Sequence, residues 1–70
     1  MRDKPEIIKM IEDLYCLGID VFGSIESFIS WKAAPNPYCE GLAPSQMLSS
    51  KDGYRHVMEL LENIARGDLS

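Results

Sequence analysis

The sequence predicts an all-α fold, a small single-core bundle of about four helices. Three observations carry that reading. Two long stretches repeat apolar residues at three- and four-residue steps. No stretch sustains an alternation of period two, as a half-buried strand requires. Glycines and prolines fall between the periodic stretches or at their ends, where a helical chain needs its stops.

The first helix is expected from Lys4 to Leu17. Asp3 can accept from the free N–H groups of the first turn, and Glu6 stands three residues later, as a capping box prefers. Pro5 fits there because a first-turn N–H has no intrahelical partner. Ile7, Ile8, Met10, Ile11, Leu14, Tyr15 and Leu17 form a wide apolar face, with Lys9, Glu12 and Asp13 on the other side. Gly18 is the expected left-handed stop. The second helix opens at Ser24, a good N-cap after Gly23, and carries Phe28, Ile29 and Trp31. It ends by Ala34, because Pro35 disfavours helical geometry at the residue before it. Residues 35–41 form a restrained loop: Pro35 and Pro37 fix two backbone angles, Asn36 closes a local turn and Gly41 takes a positive φ. Pro44 starts a short third helix to about Leu48, with Met47 and Leu48 facing inward. The last helix runs from about Lys51 to Arg66, with Ser49, Ser50 and Asp52 available as caps. Its apolar positions are Tyr54, Val57, Met58, Leu60, Leu61, Ile64 and Ala65. Gly53 in its first turn costs about 1 kcal/mol relative to alanine, so a close backbone approach is expected there. Gly67 ends the helix.

Seventy residues allow one small domain with a thin core. The apolar fraction is 46% and the charged fraction 26%, which is globular rather than disordered composition. Seven basic against eleven acidic residues give a net charge of −4, which disfavours nucleic-acid binding by this chain alone. The apolar runs are too short to span a membrane, and the charged start MRDKPE has no apolar signal region, so a cytoplasmic location is expected. Cys16 and Cys39 are too few for a disulfide framework and read as two packed free thiols.

Residue chemistry points away from an enzyme. A Cys39 nucleophile with a His56 base lacks a third group to orient the imidazole. Cys16, Cys39 and His56 contain no close pair of the kind that holds zinc. Glu12 with Asp13, and Glu59 with Glu62, read as solvated helix faces rather than as acid pairs converging in a cleft. No glycine-rich phosphate loop follows a strand. No cofactor is expected. The apolar load of the first and last helices exceeds what a thin core easily covers, which suggests a partner interface.

From about Val21 onward the residues form an ordered set. It comprises Phe22-Gly23-Ser24, Phe28, Trp31, Pro35-Asn36-Pro37, Gly41, Pro44, Leu48, Gly53, Val57, Leu60, Leu61, Ile64 and Gly67. This set resembles the C-terminal toxin-binding domain of the Xre/MbcA/ParS antitoxins. Lys32 and Cys39 stand where that family commonly has apolar residues. The resemblance divides the chain into an N-terminal helix and turn, residues 1–20, and a toxin-binding domain, residues 21–70. It implies a binding domain that neutralises a RES-domain toxin, an enzyme that consumes NAD or transfers ADP-ribose, by occluding its active site. It also implies assembly into a homo-oligomer. In this picture Phe28, Trp31, Leu48, Val57, Leu61 and Ile64 form the core, and Arg66, Asp68, Leu69 and Ser70 touch the toxin. Two other readings remain: a stand-alone structural or oligomerisation module, and a DNA-binding autoregulator. Family members often carry a helix-turn-helix domain, of which the first helix here is a fragment or a separate packing element.

Overall fold

The computed structural model describes residues 5–67. Asp3 as a cap, Lys4 as the expected first residue of the first helix, and the expected contacts Asp68, Leu69 and Ser70 lie outside the described residues. Four α-helices and one short 3-10 turn follow in order: α1 (Glu6–Phe22), α2 (Ile25–Ala33), the turn Pro37–Cys39, α3 (Pro44–Met47) and α4 (Lys51–Ala65). The all-α expectation holds, with no strand among the described residues.

α1 corrects the sequence reading at both ends. Pro5 is its N-cap and accepts through its carbonyl from Ile8 and Lys9 N–H. At the other end Gly18 does not stop the helix. It lies buried inside it, and the chain continues to Phe22 before Gly23 turns left-handed at φ 84°. The reason is packing. A Cβ on Gly18 would sit 2.4 Å from the Phe28 ring, so the missing side chain makes a seat for that ring. The α1–α2 hairpin closes around it. Phe28 is fully buried, a contribution of about 1.5–3 kcal/mol. Tyr15 meets it edge-on at 5.2 Å, and Phe22 and Trp31 lie against it and against each other.

α2 starts where expected, with Ser24 Oγ accepting from Ser27 N–H at 3.1 Å. Lys32 has a local reason to be charged. Its Nζ donates to Tyr15 Oη at 2.8 Å and lies 4.8 Å from the Tyr15 ring centre. The chain holds a cation there against an aromatic face.

α4 completes the core. Val57 and Leu61 are fully buried with Phe28, and Leu14 joins them from α1. Trp31 and Leu48 are partly buried against this cluster, as are Met47, Tyr54 and Met58. Ile64, expected in the core, is only partly buried because it lies in the last turn of α4. Ser50 caps α4 by accepting from Gly53 N–H at 3.0 Å. The close approach expected at Gly53 is present: a Cβ there would lie 1.7 Å from the Met47 carbonyl oxygen. α4 is tied to α1 by Tyr54 Oη, which donates to the Met10 carbonyl at 3.0 Å. The Lys51–Glu6 ion pair at 3.6 Å is exposed and adds little.

The core is smaller than the apolar face of α1. Ile7 is 60% exposed, and Ile8, Ile11 and Ile19 are exposed too, as are Ile25 and Ile29 on α2. α2 has only nine residues and cannot cover the full seventeen-residue length of α1. Cys16 likewise lies exposed, correcting the expectation of two packed thiols, while Cys39 is fully buried.

Candidate protein-binding surface

The loop between α2 and α3 is fixed by its own chemistry. Asn36 Oδ1 accepts from Tyr38 N–H at 2.8 Å, starting the 3-10 turn. The Asn36 carbonyl accepts from both Cys39 and Gly41 N–H, and Asn36 N–H donates to the Leu42 carbonyl at 3.0 Å. Pro37 enters the turn at its first position, and the buried Cys39 side chain anchors it from below. Glu40 then takes a left-handed conformation, φ 59°, followed by Gly41 at 83°. A non-glycine residue there is uncommon and is held only when its surroundings determine it. Next, Gln46 Oε1 accepts from Ala43 N–H at 2.9 Å and secures the start of α3.

This loop packs beside α4 and leaves a shallow trough between them. His56 Nε2 lies 2.7 Å from the Tyr38 carbonyl oxygen. A carbonyl can only accept, so His56 donates from Nε2 and pins the loop to α4. On one side of this contact a hollow of 480 Å³ is bordered by Tyr38, Leu42, Met47 and the carboxylates of Glu40 and Asp52. On the other a smaller hollow of 160 Å³ continues past Glu59 and Leu60 to Asn63. Asp52, His56, Glu59 and Asn63 recur at three- and four-residue steps, so they share one face of α4. Tyr38 and Leu42 stand about half exposed at the border, 52% and 45%.

Arg66, the one expected partner-contact residue among the described residues, is the exposed C-cap of α4. Its guanidinium donates to Asn63 Oδ1, one turn back on the same helix. The trough and the expected contact end are therefore continuous along α4. The sequence reading treated Pro35, Asn36, Pro37 and Gly41 only as loop-shaping residues and gave Tyr38, Leu42 and His56 no role at the surface. The available signal is Tyr38 inside the restrained stretch 35–41 and Leu42 directly after it, two large apolar residues on a segment too short to bury both.

The same geometry accounts for the residues weighed as chemistry. Burial pushes the Cys39 thiol up from its ordinary 9.0, the opposite of what a nucleophile needs. The Nε2 of His56 is committed to a backbone carbonyl. Among the described residues no group of three or more His, Cys, Asp and Glu side chains is placed to hold a metal. No described helix is long and apolar enough to cross a membrane.

One family model matches the chain, the antitoxin Xre/MbcA/ParS C-terminal toxin-binding domain, over residues 17–67. The chain belongs to this family. The match begins in the second half of α1 and takes in Gly18, Phe28, the loop, α3 and α4, so the family unit coincides with most of the packed core, Leu14 and Tyr15 excepted. No curated protein and no solved structure is significantly similar to the chain. The Xre/MbcA/ParS domain binds toxin, and this chain is accordingly an antitoxin-type binding domain.

Proposed function

We propose that this domain neutralises a RES-domain toxin, an enzyme that consumes NAD or transfers ADP-ribose, by occluding its active-site entrance. The C-terminal end of α4 makes the occluding contact, through Arg66 and then Asp68, Leu69 and Ser70. The observation that carries the reading is the family match across the packed unit, residues 17–67, which ends next to the exposed Arg66. Occlusion requires a binding surface and no catalysis by the antitoxin, and a standard interface of about 800 Å² per partner is within reach of a 70-residue chain. The toxin's NAD is a cytoplasmic substrate, so the action is cytoplasmic. Co-expression with the RES-domain toxin tests the reading. The full chain restores growth, and the chain lacking residues 68–70 does not, although its far-UV circular dichroism is unchanged. A truncated chain that restores growth as well as the full one would remove the tail from the mechanism.

Self-association accompanies this function in our reading, and a specific feature favours it. Ile7, Ile8 and Ile11 on α1, with Ile25 and Ile29 on α2, leave an apolar face uncovered on a small acidic domain. Such faces usually mark interfaces. A second copy of the same hairpin offers the matching surface. Light scattering should report a defined oligomer for the full chain, and Ile11→Glu should shift it to monomer without lowering its helix content. A wild-type chain that stays monomeric up to about 0.1 millimolar would rule this assembly out.

A further inference from the structure

The trough beside Tyr38 has no part in occlusion by the C-terminal end, yet the loop that forms one wall is held by hydrogen bonds through Asn36 and His56. We propose that it is a second docking site for the toxin, seating a lysine or arginine side chain that the toxin presents among apolar residues. This proposal rests on the toxin-neutralising reading above. It adds a distinct surface and the chemistry of the group that fills it.

Three observations support it. The first is exposure combined with rigidity. Tyr38 is 52% and Leu42 45% exposed, although the loop that bears them is closed by hydrogen bonds through Asn36 and pinned by His56. A large side chain held ready on a fixed backbone loses little entropy on binding, and tyrosine is a frequent interface anchor. The second is charge. Glu40 and Asp52 border the larger hollow and Glu59 the smaller, and no lysine or arginine lines either among the described residues. A cation seated in the larger hollow has Tyr38 and the carboxylates of Glu40 and Asp52 at its border. The third is continuity. The trough ends at Asn63, which accepts from Arg66, so a toxin gripping the end of α4 reaches the trough along the same helix face. A second copy of this chain is the less suitable occupant, because it would bring a net charge of −4 to an acidic trough.

The test is calorimetric titration of the full chain into the purified RES-domain toxin of the same genome. Two variants are compared with wild type: Tyr38→Ala, and the pair Glu40→Asn with Asp52→Asn. Asparagine tolerates the left-handed backbone at position 40, so the loop is kept. Thermal melts of each variant confirm folding. The expected result is at least about tenfold weaker binding for each variant. Toxin affinity should also fall less steeply with added salt for the charge-removed pair. Wild-type binding with both variants within about twofold of it would overturn the second docking site and leave the neutralising function standing. A wild-type chain that does not bind the toxin would overturn both. Unchanged toxin affinity together with loss of self-association in the Tyr38 variant would assign the trough to a second copy and overturn the proposal.

Discussion

Two glycines set how closely the helices of this domain approach, and they do so against different partners. At Gly18 the neighbour is the Phe28 ring, a side chain already enclosed on all sides. At Gly53 it is the Met47 carbonyl oxygen, which belongs to the backbone of α3. A ring can tilt, whereas a backbone must carry its helix with it. Gly18→Ala should therefore destabilise by about 1–3 kcal/mol, with the helix-propensity gain of about 1 kcal/mol offsetting part of the overpacking. Gly53→Ala should cost more, because α3 and α4 must separate. Urea denaturation of both variants checks the order, and a Gly53 variant as stable as wild type would contradict the close approach. At this scale the sequence was informative in one case and misleading in the other. Gly53 sat in the first turn of a strongly periodic segment, where a glycine is costly, so a reason for it could be sought. Gly18 followed an unbroken apolar run, and nothing local separates a helix stop from a seat for an aromatic ring eight or more residues on. The ring that decides the matter belongs to the next helix.

Among the elements, α1 reaches past the end of the short α2, and its N-terminal half meets α4 instead. There it is joined to α4 by the Tyr54–Met10 hydrogen bond and by an exposed ion pair. The Tyr54 phenol is pushed above its ordinary 10.0, by burial first and by the nearby Asp13 carboxylate second. Because the folded state holds this proton more tightly than the unfolded chain, the associated stability is complete below pH 10. It declines as pH rises past 10 toward the folded-state value. Tyr54→Phe should cost about 1 kcal/mol at neutral pH through the lost hydrogen bond. It should also flatten the alkaline decline. Thermal melts between pH 7 and about 11 separate the two effects, and an equally steep decline in the variant would contradict the assignment. Helix starts were legible where a polar cap precedes an apolar stripe: Ser24 and Ser50 both accept from the N–H three residues on. The loop was legible as restrained, through its prolines and Asn36. Its surface role was not, because the trough arises only where that loop meets α4, and no local pattern records which side chains a long-range contact leaves exposed.

At the scale of the whole molecule, apolar surface is divided between two uses. One part closes the core around Phe28, Val57 and Leu61. Another remains outside, as isoleucines on the hairpin and as Tyr38 and Leu42 beside the trough. The ordered set of residues from Val21 onward made the family legible from sequence, and the match over residues 17–67 establishes it. What sequence reasoning placed in the tail, Asp68 to Ser70, stands as part of the proposed mechanism. Arg66 stands at the exposed end of the helix that leads to it. We propose that this domain silences a toxin by covering its active site. The most direct measurement is NAD turnover by the purified RES-domain toxin, titrated with increasing amounts of the full chain. The account predicts that turnover falls to background as the two proteins reach a fixed molar ratio. Undiminished turnover in the presence of a large excess of folded chain would contradict it.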